Sequence, residues 1–514
     1  MRRRSFIKSL GALGATAALP INHDFFIRAA KANTPVYNQI QFNKPTVVPQ
    51  VINIFLYGGP SELGGNLSNI DDINANSQNP YPSEMRDIYD PVTMPGGERT
   101  VNDFWRSAGG HEMEMMLKDG EMTIYRTLNR VKDNTRAHRP SIRSSLTGSL
   151  DYDNYPGMGV TLASSLLHIE NTFGPGSAVG KPLQDMVLPF VSFEGESTAF
   201  EVDGDNPLPL YLKDISLDTK FRNPYTDSAA YSDLDGLVTA RNEATKDRYK
   251  EIYEAFQTKA KVAEQITGYS DSLKAALPSI PVTSADASDP DIASQVFLSD
   301  GTTLDSATVK YPDNNQYTSR VQAAVTLAIA NPDALFITIG GGLGGWDDHD
   351  NSLDSNRYIT RMHDLMSAIR SAMKHIKYSD ISNGGSRDTS NIVINVMGDF
   401  GRNVNLNGSM GWDHGNNQNL YTFGGASVRA GGPSALGKIV GTTERFGAPG
   451  QNRQYTRPMT GSYQAEPMSV ASTVYSYFGI QNPEVLTSDE KYNPDGETQI
   501  DETVGGVALN TYTP

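Results

Sequence analysis

The chain has 514 residues, with 43 Lys and Arg against 59 Asp and Glu, a formal charge of -16, 8 histidines and no cysteine. That length can bury a large core as one α/β domain with insertions or as two domains, and the charge disfavours a nucleic-acid backbone or an anionic lipid surface as partner. The lack of thiols excludes disulfides and thiolate ligands, so any metal must be held by imidazole, carboxylate or amide groups.

The first residues, Arg2 to Lys8 (RRRSFIK), follow the twin-arginine export pattern, with Arg3 and Arg4 as the pair and Phe6, Ile7 and Lys8 behind them. The apolar stretch from Leu10 to Ile21 is too short and too rich in Gly and Ala for a stable membrane span, and Ala30-Lys31-Ala32 offers a small-residue cleavage site. Residues 1–32 therefore read as a signal peptide and 33–514 as the mature chain. The twin-arginine translocase is the expected first partner, and the periplasm or the cell exterior the destination. An amphipathic first helix is the alternative, although it would not need the Arg-Arg-x-Phe order. Nothing else reads as a membrane-spanning helix.

Val48 to Tyr57 is β-branched and apolar and predicts a central parallel strand ending at Gly58 to Glu62. Leu67 to Arg99 shows no sustained period and predicts an irregular surface segment. Val101 to Leu117 has helical spacing, and Glu121 to Arg126 predicts a strand. In Thr135 to Gly148 a His, a Pro in the first helical turn and a closing Thr-Gly place His138 at a helix N-terminus, where an anion is favoured; a plain helix cap with a surface His fits equally. Asp185 to Phe193 predicts another strand.

From about 195 to 315 the chain turns polar, with one long helical stretch from Thr239 to Leu277, and reads as an inserted helical subdomain that shapes access to a site or is a passive excursion. The core resumes with a helix over Ser319 to Ala330. A strand over Ala334 to Ile339 then stops at Gly340 to Gly345, six residues of which five are glycine, followed by Trp346-Asp347-Asp348-His349-Asp350. A helix over Arg361 to Ile376 leads to a second such strand, Asn391 to Met397, which runs into Gly398-Asp399-Phe400-Gly401-Arg402 and then Gly411-Trp412-Asp413-His414. Ligands of open α/β sheets bind beyond the carboxyl ends of strands, so both Asp/His clusters and His138 are expected on one rim. Asp348 and Asp413 would stand behind the ligands or cap loops. Met468 to Phe478 predicts the last helix and Val504 to Leu509 a closing edge strand; His111, His168, His363 and His375 read as ordinary helix residues.

GWDDHDN, GDFGRN and GWDHGN, with RAHRPSIRSSLTGS and FLYGGPSELGG upstream, resemble the domain of unknown function 1501 family, whose members are commonly exported by the twin-arginine route. The resemblance runs from about Ile52 to Phe478 outside the insertion. More remotely the same order is similar to the alkaline phosphatase and sulfatase superfamily. That similarity implies an alkaline-phosphatase-like three-layer sandwich, a mostly parallel sheet with helices on both faces. In the sulfatase segment Cys-x-Pro-Ser-Arg-x-x-Leu-x-Thr-Gly, His138 falls on the cysteine. Pro140, Ser141, Thr147 and Gly148 match, and Arg143 and Leu146 sit one place late.

Asp347 and His349 stand for the superfamily's first ligand group at altered spacing, Asp399 for an Asp-His pair in which Phe400 replaces the His, and His414 for the later His. Gly58 to Glu62 supplies no Asp. The resemblance therefore implies one divalent ion, Zn or similar, on Asp347, His349 and His414 with Asp399 nearby. It also implies His138 as base or nucleophile, Arg143 and Arg402 as oxyanion partners, and a small anionic phosphate or sulfate ester as substrate. The alternative is a non-catalytic exported carrier or cell-surface assembly protein whose Asp/His pairs tether loops.

Overall fold

The computed structural model describes residues 36–81, 98–201 apart from 154, 187 and 194–196, the short strands at 215–216, 296–298 and 307–309, and 311–513 apart from 313–314, 341–344, 351–356, 386 and 490. The signal peptide expected over 1–32 and the helix expected over Thr239 to Leu277 lie outside the described residues.

Runs of β-branched residues build an eight-stranded sheet. Along the chain its strands are Gln50–Leu56 (β1), Met122–Asn129 (β2), Phe190–Ser192 (β3), Ile215–Ser216 (β4), Phe336–Ile339 (β5), Ile392–Gly398 (β6), Asn417–Gly424 (β7) and Lys438–Val440 (β8), in the order β8-β2-β7-β6-β1-β5-β3-β4. Neighbours are parallel except β7, which runs antiparallel to β6 and β2. This is an α/β architecture with a mostly parallel central sheet. β4 falls inside the expected insertion, so that segment lends the main sheet its edge.

The helices are Ile70–Asn76 (α1), Gly110–Lys118 (α2), His138–Thr147 (α3), Met158–Phe173 (α4), Thr318–Ala330 (α5), Arg357–Ser379 (α6) and Ser469–Tyr477 (α7). β1 is buried along its whole length and divides its side chains between two cores. Ile52, Ile54 and Leu56 join α2, α5 and α6 through Met113, Val325, Leu365 and Ile369. Val51 and Phe55 join α3, α4 and α7 through Leu146, Leu162, Leu166 and Val474. Each such side chain contributes about 1.5–3 kcal/mol by leaving water, which is why a strand covered on both faces reads as a continuous apolar run.

One row interrupts that run. Thr123, Thr422, Asn395, Asn53, Thr338 and Ser192 are in register on six adjacent strands. All six are buried, and the amide Nδ2 and Oδ1 of Asn53 and the Oγ1 of Thr338 have no hydrogen-bond partner among the described residues.

Several expectations are corrected. The Leu67 to Arg99 segment contains α1, whose Ile70 and Ile73 turn inward although the sequence around them is rich in Asn and Asp. The helix expected from Val101 starts only at Gly110, because Gly109 adopts a left-handed φ of 78° and a 3-10 turn precedes it. The strand expected over Asp185 to Phe193 shrinks to β3. Val504 to Leu509 forms no strand; a backbone hydrogen bond from Val507 N to Ile439 O and one from Lys438 Nζ to the Val504 carbonyl at 3.0 Å tie it to the β8 edge. Among the described residues no helix is long and apolar enough to cross a membrane.

Candidate metal centre

The carboxyl ends of β1, β5 and β6 meet at one rim, and three loops interlock there. Gly58, just past β1, has φ 112°, and a Cβ on it would lie 2.4 Å from Asp347 N. A Cβ on Gly411 would lie 2.2 Å from the carbonyl carbon of His349. Only glycine permits such backbone approach. The wholly buried Trp346 and Trp412 root the two Asp/His loops. Asp348 is also buried and accepts from Arg361 Nη2 at 2.5 and 2.7 Å and from Arg357 Nη2 at 2.6 Å. These arginines lie one helical turn apart on α6, so Asp348 anchors the loop and is withheld from the site.

Four side chains converge. One ligand atom each from His138, Asp347, His349 and His414 falls within a sphere of mutual distances no longer than 4.8 Å. Asp347 Oδ1 is 3.3 Å from His138 Nε2, 3.0 Å from His349 Nε2 and 3.7 Å from His414 Nε2, and the last two nitrogens are 2.8 Å apart. Ligands held at 2.0–2.1 Å in a tetrahedron are separated by roughly 3.3 Å, the middle of this range.

The far side of each ring is held as well. His138 Nδ1 lies 2.7 Å from Asp399 Oδ2, His349 Nδ1 lies 3.5 Å from Asp413 Oδ1, and His414 Nδ1 meets the Arg136 carbonyl. Acceptors at Nδ1 put the ring proton there and leave a lone pair on Nε2, the arrangement that orients imidazoles towards a metal. Two such lone pairs facing each other at 2.8 Å repel unless a proton or cation sits between them. Burial, followed by the charge of Arg402, lowers His414 to about 4, so its ring is neutral at neutral pH. Burial pushes the Asp347 carboxyl up, but the hydrogen bond and charge of Arg402 outweigh it and hold the group below its usual range, ionised. The Asp399 hydrogen bond raises His138 against the opposing effect of burial. An N3O donor set without thiolate suits Zn²⁺ and other first-row divalent ions.

Three expected site residues stand elsewhere. Asp399 is fully buried behind His138, its Oδ1 accepting from Gly58 N at 3.2 Å, and supports the cluster from outside it. Arg402 is buried and spends its guanidinium on the carbonyls of Gly58, Gly59, Trp346 and Trp412 and on Asp347 Oδ1 at 2.6 Å. It fixes the rim and is not open to a substrate oxyanion. Arg143 turns to Glu201 at 2.7 Å and the Tyr152 carbonyl at 3.2 Å, away from the cluster.

Others were missed. Arg130, buried at the end of β2, donates to the Asp399 carbonyl, Ser144 Oγ and Ser145 Oγ at 2.7–2.8 Å and so joins α3 to the β6 loop. Phe400 packs under the His138 and His414 rings at 4.8 and 4.4 Å between centroids. No sequence period announces either role.

Fold and rim together define an α/β protein with a His/Asp cluster at the carboxyl end of a mostly parallel sheet. Residues 48–457 match the family described as protein of unknown function (DUF1501), and the chain belongs to it. No curated protein matches the chain.

Proposed function

We propose that this is an exported, metal-dependent hydrolase of phosphate or sulfate esters built on an alkaline-phosphatase-like core. The observation that carries the reading is the convergence of three imidazole Nε2 atoms and one ionised carboxylate, two of the rings braced by hydrogen bonds at Nδ1, on a solvent-reached rim. His138, His349, His414 and Asp347 would hold the ion, which supplies Lewis acidity and a more acidic bound water. Arg402 keeps Asp347 ionised, Asp399 and the Arg136 carbonyl keep two imidazoles in the ligating tautomer, and Phe400 excludes water beneath them. Asp347 and His349 are the most exposed of the four, at 46% and 43%, so substrate approaches from their side.

Elemental analysis of protein purified without chelators, together with hydrolysis of aryl phosphates and aryl sulfates, tests this. About one equivalent of a first-row divalent ion and activity lost on its removal are expected. A protein without metal, and inert to both esters when metal is added, refutes the reading. Export rests on the Arg3-Arg4 pattern, and Arg3→Lys with Arg4→Lys should leave precursor in the cytoplasm; undiminished export of the double variant would refute it.

One observation favours the alternative, a non-catalytic exported carrier or assembly protein: four protein donors fill a tetrahedral shell, as in structural sites. Cobalt(II)-substituted protein separates the two. A visible spectrum unchanged by added phosphate supports the carrier; a shift towards five-coordination supports the hydrolase.

A further inference from the structure

The rim outside the cluster carries two arginines tied to the cluster's own imidazoles. The main-chain carbonyl of Arg136 accepts from His414 Nδ1. Arg453 Nε lies 2.8 Å from Asp413 Oδ2, and the other oxygen of that carboxylate faces His349 Nδ1 at 3.5 Å. Tyr455 sits between them: the Arg136 guanidinium lies over its ring at 4.9 Å and donates to its hydroxyl at 3.3 Å, and Arg453 is hydrogen-bonded to the same side chain. Arg136 Nε is held by Asn416 Oδ1 at 2.8 Å. Arg136 is thus braced by neutral groups and Arg453 by the Asp413 carboxylate, and both residues are exposed.

We propose that Arg136 and Arg453, spaced by Tyr455, form a binding fork for a second negative group on the substrate, so that the preferred ester is one whose body also carries an anion. The inference rests on the metal-dependent reading above. Three points carry it. First, Arg136 Nη2 has no protein partner among the described residues, and a planar guanidinium edge on a stacked, pre-ordered side chain suits carboxylate, phosphate or sulfate oxygens. Second, Arg402 pairs with Asp347 and Arg453 with Asp413, Asp399 is taken by His138, and Arg136 meets no carboxylate among the described residues; these three guanidiniums offset the three carboxylates, so a bound divalent ion leaves this rim positive on a chain of charge -16. Such a local reversal of sign draws anions to one place. Third, both arginines are tied to the rim behind the ligand rings, Arg136 through its main-chain carbonyl at His414 Nδ1 and Arg453 through Asp413, whose other oxygen faces His349 Nδ1. A substrate with two anionic groups can therefore set one at the ion and the other at the fork.

Calorimetric titration of the zinc-loaded full chain with methylphosphonate and with 4-phosphonobutyrate tests the fork, because the second probe adds only a carboxylate on a short tether. The expected result is binding of 4-phosphonobutyrate about tenfold tighter than methylphosphonate, the worth of one charge-assisted contact. Arg136→Gln with Arg453→Gln should erase that advantage and bring the two probes to equal affinity. Arg136→Gln alone, which spares the Arg453–Asp413 pair, should erase part of it and keep the zinc content intact. Equal affinities in the parent protein, or an advantage retained in the double variant, overturn the fork while methylphosphonate binding still upholds the metal site. Failure of both probes to bind overturns the fork and the hydrolase reading together.

Discussion

Asp399→Asn isolates what the buried carboxylate does for the cluster. In the native site one oxygen accepts from Gly58 N at 3.2 Å and the other accepts the His138 Nδ1 proton at 2.7 Å, so both oxygens must be acceptors. An amide has the same shape but only one acceptor. If its NH₂ faces Gly58, two donors clash; if it faces His138, the ring must accept at Nδ1 and move its proton to Nε2, where it blocks ligation. Removing an outer partner of a ligating histidine costs 10–100-fold in metal affinity, about 1.4–2.7 kcal/mol. Apo protein titrated with zinc against a chromogenic chelator at neutral pH measures this, with circular dichroism to establish that the variant is folded. A folded Asp399→Asn protein whose zinc affinity lies within twofold of the parent would show that Asp399 does not set the His138 tautomer.

Two further outcomes are expected. Gly411→Ala should weaken zinc binding by more than tenfold with little loss of secondary structure, since the added Cβ meets the His349 backbone at 2.2 Å and must displace that ligand; unaltered affinity in chelator competition would contradict it. Burial raises Glu62 from 4.5 to about 7. A carboxyl with a raised folded pKa contributes stability that is fully present below 4.5 and lost as pH rises through about 7. Glu62→Gln should therefore flatten the fall in apo-protein stability between pH 4.5 and about 7, by at most about 1.4 kcal/mol per pH unit, and parallel denaturation curves for the two proteins would refute it.

The central strands were legible because their composition is dictated by burial on both faces: Val48 to Tyr57 and Asn391 to Met397 match the bounds of β1 and β6 to within two residues. β7 was not, since Asn417, Gln418 and Asn419 read as loop yet are buried, Asn417 bonding Glu62 and Asn419 the Glu62 carbonyl. The meeting of His138, Asp347, His349 and His414 followed from topology, which collects strand ends at one rim. That Asp347 faces inward with Asp348 behind it came from the family resemblance and not from topology, and its physical cause is the capture of Asp348 by Arg357 and Arg361. Arg402 has the residue type of an oxyanion binder. Only its enclosure by backbone carbonyls reveals that its charge is already spent.

The polar row across the sheet bears on how the chain finds this arrangement at all. Strands apolar on both faces can slide past one another and still bury apolar against apolar, so hydrophobicity alone distinguishes poorly between alignments. Asn53 between Asn395 and Thr338 reduces that degeneracy, since a pairing slipped by two residues would set its amide beside Val393 or Met397 in place of Asn395. The unpartnered amide of Asn53 costs about 1–3 kcal/mol in the native sheet. That sacrifice indexes the strands like notches on a ruler, and the same alignment fixes where β1, β5 and β6 end, and hence whether three imidazoles arrive at one point.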